Sequence, residues 1–417
     1  MKKLFTRQGV TFIAVILLSI LFITLGANLS KAQLLTSSDQ FYRARVLGLE
    51  DVQVKEISLD DGESSISSKS VFFKAEFTNG PDKGKAVTML QYIDYMYAVQ
   101  PDTVSKGDSI VVSYTADPTN SQKIWMFIDY NRIHYMVFIC LAFFALIILI
   151  GRSKGLATII SLIFTAGAVF LVYIPGILGG QNIYLSTIVI SIFIILMSLC
   201  VLNGVNIKTF CAVLGNMGGL AVAGILALLT NQLLGITGIV DEDCLFLMYV
   251  NSQHPLDLRA IVWGSIVIGS LGAVMDVAMS IASAMNELAE TMEHRTVKRM
   301  IRSGMNIGKD AIGTMTNTLI LAYIGGSLAT VLLLVASNKD PLYLFNMEMI
   351  VVEVLQGIIG STGILFAVPV TVIIAAYLYD NRAKDGEKNQ QIPVDNPAVE
   401  PAGASAEDQG GKSVKTD

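Results

Sequence analysis

The sequence predicts an all-α polytopic membrane bundle of about eight helices, with a small external β-barrel-like module near the N-terminus. Three observations carry that expectation. Hydrophobic residues make up 53% of the 417-residue chain and charged residues only 15%, against roughly 25% charged in soluble domains. Eight apolar runs approach the roughly 20 residues a helix needs to cross a bilayer at 1.5 Å per residue. Between the first two runs lies a long polar stretch that reads as short strands and turns instead.

The runs fall at 10–28, 135–150, 156–174, 183–202, 210–234, 261–285, 315–336 and 350–378. The second is the shortest and borrows Tyr130 and Ile133 from its flank. Basic residues mark alternate connections: Lys2, Lys3 and Arg7, then Arg152 and Lys154, then Lys208. They recur in Arg295, Lys298, Arg299, Arg302 and Lys309, and again in Arg382, Lys384 and Lys388. The intervening connections are neutral or acidic. Positive charge stays on the cytoplasmic side of a membrane, so both termini are expected there, in the plasma membrane, with the first run uncleaved. Residues 1–33 also have the layout of a signal peptide, ending in Ser30-Lys31-Ala32. The apolar core is long for that role, which favours a membrane anchor.

The expected organisation is therefore an anchor at 1–33, an external β-rich module at 34–132, a seven-helix membrane domain at 133–380, and a disordered cytoplasmic tail at 381–417. In the module, strand-like runs at 41–47, 70–77, 86–91, 109–114 and 123–128 alternate with turn signals. These are Asp60-Asp61-Gly62, Asn79-Gly80-Pro81-Asp82, Lys106-Gly107-Asp108 and Asp117-Pro118. That spacing suits a small OB-like barrel. No aromatic stripe or basic groove is apparent in it, so its expected role is packing or docking an external protein partner.

Several function classes drop out. The net charge of −5 leaves no basic footprint for nucleic acid; the expected partner is the lipid bilayer. Of four cysteines, Cys140, Cys200 and Cys211 lie in or beside apolar runs and Cys244 stands alone in a loop, so they read as small packers. There is no His-Glu-x-x-His, Gly-x-Ser-x-Gly or Cys-x-x-Cys. His134, His254 and His294 sit in three separate loops, so no metal, cofactor or enzyme activity is expected. Asp241-Glu242-Asp243 could collect an external cation, since carboxylates suit hard ions, but a site needs several convergent oxygens; it reads rather as a helix start, where acids oppose the positive dipole end. The apolar piece at 244–250 is too short to span and is expected to lie in the interface or dip inward as a re-entrant piece.

One residue stands out. Asp276 lies in the apolar run 261–285, and an ionisable group at membrane depth marks a functional site by default. Ser265, Gly269, Gly272, Asp276, Ser280 and Ser283 recur every three or four residues, which places them on one small, polar helix face. Such an aspartate must be protonated, paired or hydrated. Matching the opposite directions of neighbouring runs brings Asn216, Thr314 and Asn317 to similar depth, giving an expected cluster of Asp276, Ser280, Asn216 and Asn317. The last run contains Gly357, Gly360, Ser361, Thr362, Gly363 and Pro369, which suits either an interrupted helix of the kind transporters use around substrates or a mere kink, since glycine and proline are common in membrane helices.

The segments SGMNIGKDAIGTMTNTLILAY (303–323) and GAVMDVAMSIASA (272–284) resemble the YibE/F-like family of bacterial membrane proteins. Asp129-Tyr130-Asn131-Arg132 and Gly151-Arg152-Ser153-Lys154-Gly155 add to the resemblance, and the external module matches the longer, YibE-like type. The resemblance implies a bacterial multi-pass protein of the plasma membrane and signature residues Asp276, Asn306, Asp310, Thr314 and Asn317. It names no substrate. The leading expectation is a permease or secondary transporter with an intramembrane acidic site. The alternative is a membrane scaffold or accessory subunit that docks a partner through 34–132.

Overall fold

The structure is a computed structural model and describes residues 7–30, 40–58, 65–94, 102–116, 123–240, 243–244, 247, 255–292, 296–336 and 340–390. The 244–250 piece, the Asp241-Glu242-Asp243 cluster, the Asp60 and Asp117 turns, His254, His294, and the tail beyond Gln390 lie wholly or partly outside them.

After helix α1 (Arg7–Leu29), five strands follow: β1 (Phe41–Ser58), β2 (Ser65–Phe77), β3 (Ala86–Asp94), β4 (Ser109–Ala116) and β5 (Lys123–Tyr130). They close into a barrel in the order β1-β2-β3-β5-β4, with β3 and β5 parallel and the other pairs antiparallel. Period-two alternation builds it: Val71, Phe73, Ala75 and Phe77 point inward, while Lys74 and Glu76 between them face out. Bulges at Val46/Gly48 and Leu49/Asp51 let the long β1 bend around the barrel. Two expected turns are present, at 79–82 and 106–108. Gly80 and Gly107 take positive φ there, which only glycine adopts without strain.

β5 runs into helix α2 (Ile133–Gly167) through just Asn131 and Arg132. The segment Asp129-Tyr130-Asn131-Arg132 acts as a clasp. Asn131 is buried; its backbone N–H donates to Ser109 O at 2.8 Å and its Nδ2 to Ser109 Oγ at 3.1 Å. Asp129 accepts from Arg132 Nη1 and from the Tyr130 N–H, both at 2.7 Å. The Arg132 guanidinium, with that N–H, holds the Asp129 carboxyl below the usual carboxylate range. A lowered folded-state value stabilises the fold above the unfolded value of about 3.9 and is lost as pH falls through the folded one. This contribution should therefore persist down to about pH 4. Asn131→Ala should lower stability by about 1 kcal/mol, because it removes the buried amide that bonds the half-buried Ser109 hydroxyl. A melting curve of the purified chain in detergent checks this; an unchanged midpoint would remove the clasp from the account.

The run Ile133–Leu178 comprises α2, a π-helical segment (Ala168–Tyr173) and α3 (Ile174–Leu178), 46 residues in all. As one straight rod it would be about 69 Å long, more than twice the hydrocarbon core. It is not straight. Arg152 has φ 50°, ψ −123°, and beyond it Gly155 packs directly on the Ile147 backbone. Residues eight apart in a helix sit about 12 Å from one another, so the chain reverses here. The Gly151–Gly155 segment is the bend between the expected second and third runs.

Next come α4 (Ile183–Asn203), α5 (Ile207–Leu233), α6 (Leu258–Thr291), α7 (Val297–Gly326), α8 (Leu328–Ala336), α9 (Pro341–Leu344) and α10 (Glu348–Gln390). Side chains cap five of these starts: Asn182, Asn206, Asp257, Thr296 and Asp340 each accept an N–H from the first turn. Among the described residues, six helical segments are long and apolar enough to cross a membrane, so this is a multi-pass membrane protein. The expected seventh run, 315–336, departs from the sequence reading. It is divided at Ser327 between α7 and α8, and polar residues keep α7 from qualifying alone.

α5, α6 and α10 form the centre of the bundle, with α7 against α6 and α10 and α4 against α5 and α6. Small residues make the contacts close. A Cβ on Gly219 of α5 would lie 2.6 Å from Gly363 O and 3.0 Å from Val274 Cγ1, as tightly packed membrane helices require. No interruption occurs at 357–369. α10 is one continuous helix through Pro369, and Gly360 and Gly363 seat Ser270 and Leu319, and Val274 and Ala223, respectively. With no water in the apolar interior to satisfy freed backbone groups, the glycines serve packing and leave the helix intact.

Candidate functional site

α6 has two unlike sides. Val274, Val277, Ile281 and Met285 are buried, and Val274 meets Gly219 of α5 and Gly363 of α10. Asp276 is two residues on from Val274, about 200° round the helix, so it points away from that core. Ser265, Gly269, Gly272, Asp276 and Ser280 are all exposed along this outer face, and Ser283 is half-buried. The face predicted from spacing is thus present, and it looks outward. Among the described residues no hydrogen bond or ion pair reaches the Asp276 carboxyl.

α7 lies beside this face. Its Met300, Gly304, Gly308 and Leu319 are buried, whereas Asn306, Asp310, Thr314 and Asn317 are exposed. Gly308 packs near Ile281, and a Cβ on Gly269 would lie 2.8 Å from the Tyr323 hydroxyl. Interpolating between those two contacts sets Asp276 level with Thr314, with Asp310 and Asn317 about one turn to either side. Thr314 Oγ1 donates to Asp310 O at 3.2 Å, so only its lone pairs remain for another group. Asp276 and Ser280 on α6, and Asn306, Asp310, Thr314 and Asn317 on α7, thus give each of two adjoining helices an exposed polar strip.

Asn216 is not part of it. It is 0% exposed inside the bundle, on α5, and neither of its side-chain polar atoms has a hydrogen-bond partner. The expected cluster is therefore corrected: depth was matched, but Asn216 and Asp276 lie on opposite sides of the α6 backbone. An unbonded buried amide costs free energy. Asn216→Leu should raise the thermal midpoint in detergent while leaving the outer strip untouched, and a lowered midpoint would show that the amide has a bonded partner in the membrane.

Two groups that sequence reasoning passed over extend the strip toward the start of α10. Gln356 Nε2 donates to Ser265 Oγ at 3.4 Å. The buried Tyr323 hydroxyl, with no hydrogen-bond partner, shares a cleft of about 230 Å³ with Glu353, Ile320 and Met349. Glu353 had a readable signal, being an acid inside the run 350–378. Gln356 and Glu353 thus add an amide and a carboxyl on α10 to the polar side chains of α6 and α7.

The sequence of the helical region decides the kinship: residues 139–381 match the family YibE/F-like protein. The chain belongs to the YibE/F-like family. The match takes in the whole strip and ends just inside α10, while the barrel and the Asp129–Arg132 clasp lie outside it. No curated protein and no solved structure matches the chain. For this YibE/F-like protein, the outward polar face of α6 and α7 is the feature that calls for a functional explanation.

Proposed function

We propose that this chain is a permease or secondary transporter of a bacterial plasma membrane and that its path follows the polar strip past Asp276. One observation carries the reading: a carboxyl at membrane depth, without a partner among the described residues, beside a helix that exposes four polar residues. In lipid alone that face would be costly, and intramembrane acids usually border a water-filled route or a proton relay. The alternation of basic connections supports both termini in the cytoplasm and the barrel outside. A cysteine introduced at Lys106 should react with an impermeant reagent from outside and one at Arg299 only from inside; the reverse pattern would overturn the orientation.

The functional test compares two variants in a strain lacking the chain. Asp276→Asn should abolish rescue of the growth phenotype at normal expression, because an amide cannot exchange a proton. Deletion of 41–130 should leave part of it. If Asp276→Asn rescues fully and the deletion does not, the chain acts as a scaffold that docks partners through its barrel.

A further inference from the structure

The barrel closes around an aromatic pocket that no linear stretch of sequence reveals. Tyr42 from β1, Phe77 from β2, Tyr114 from β4 and Trp125 from β5 meet at one end, where they line a cavity of about 450 Å³ with Asp82 and Lys123. That volume lies within the roughly 300–1,000 Å³ of small-molecule sites. Phe77, 2% exposed, forms the floor. Trp125 stands against it at 4.9 Å between centroids and 69° between planes, and Tyr42 meets Trp125 at 5.6 Å and 77°. Tyr114 leans on Trp125 at 5.2 Å and stays 52% exposed. The rings brace one another edge-to-face, so the walls are set before any ligand arrives. The pocket is at the end of β5 remote from the helices: Trp125 precedes Tyr130 by five residues, about 17 Å along a strand.

The polar groups at the rim narrow the ligand. Gln40 receives the Tyr42 hydroxyl on its amide oxygen, which leaves its amide N–H groups available. Asp82 pairs with Lys85 at 2.6 Å, so with Lys123 the rim carries a net positive charge. Lys123 has no acidic partner among the described residues. A cationic ligand is therefore disfavoured despite the aromatic rings. A nucleic-acid strand would need a track of cations along its backbone, and the rim offers only Lys123 unpaired. What fits is a ring with an apolar C–H face to stack on Tyr114 and Trp125, and hydroxyl or carboxylate groups at its edge for Gln40 and Lys123. We infer that this pocket binds a saccharide, neutral or acidic, by stacking a sugar ring on Tyr114 and Trp125. The site lies outside the helical bundle and does not depend on the transport reading.

Saturation-transfer NMR on the full-length protein in nanodiscs tests this with chitotetraose as the neutral probe and tetragalacturonate as the acidic one. At least one should receive magnetisation on its ring C–H protons, with binding at least tenfold weaker in Tyr114→Ala, an exposed position whose loss leaves the barrel core intact. Lys123→Ala should weaken the acidic probe more than the neutral one. Absence of transfer to both probes overturns the proposal. So does transfer that survives both Tyr114→Ala and Trp125→Ala, or Tyr114-dependent binding of oligothymidylate in place of either sugar.

Discussion

Gly219→Leu should leave almost no folded protein. The first carbon of the new side chain would lie 2.6 Å from Gly363 O, 2.8 Å from Ala367 Cβ and 3.0 Å from Val274 Cγ1, and three more carbons would have to follow it. One of those neighbours is main chain in the middle of α10 and cannot turn aside. Overpacking a core costs about 1–3 kcal/mol even where side chains can adjust; here α5, α6 and α10 must separate, so the loss should exceed 3 kcal/mol. Gly272→Ala is the control. Its methyl would meet nothing within 4 Å, and alanine favours a helix over glycine by up to about 1 kcal/mol. Size-exclusion after a heating series in detergent should show the first variant aggregated throughout and the second as stable as wild type or more so. Equal behaviour of the two would mean that the central helices are not in close contact.

The second large effect is expected at Glu348, in the first turn of α10. Its carboxylate accepts from the Thr237 N–H at 2.9 Å, the Thr237 hydroxyl at 2.8 Å and the Gly238 N–H at 2.6 Å. It thereby ties the start of α10 to the turn that follows α5, where Gly238 has φ 90°. Hydrogen bonds to a charged acceptor contribute about 1.5–3 kcal/mol each when buried, and this site is only half-buried. Glu348→Ala should therefore cost about 2–3 kcal/mol in total. Glu348→Gln, which keeps one acceptor, should fall between. Hydrogen exchange should report the damage locally, as faster exchange of the Thr237 and Gly238 amides. If those amides keep their protection in Glu348→Ala, the tie is not made in solution.

Much of this architecture was legible in the sequence, because the forces that set it are periodic. Val71, Phe73, Ala75 and Phe77 announce a strand by alternation, and Ser265 through Ser283 announce a face by their spacing. What the sequence left open is azimuth. The depth of Asn216 follows from counting residues along α5, but its direction depends on how Gly219 seats against Val274, a contact between residues far apart in the chain. The glycines of α10 were ambiguous for a related reason: the same residue that permits a break also permits close approach, and only the neighbouring helix decides. The two ends of the Glu348 tie are similarly remote, and the aromatic pocket draws on four strands. Glu353 and Gln356 were visible as polar residues in an apolar run, but only the packing of α6 and α7 shows which strip they extend.

The short passage from barrel to bundle has a mechanical consequence. Between Tyr130 and Ile133 there is no slack: one side chain is pinned to Ser109, another to Asp129, and the helix begins at once. None of the residues from 133 to 151 is buried, so the arm of about 28 Å that follows has little to hold it in place laterally. A rigid head fixed to a loosely held rod is a crank. Torque on the head, from whatever grips it, travels down that rod to the reversal at Arg152 and enters the rest of the bundle there, alongside the covalent link to α1.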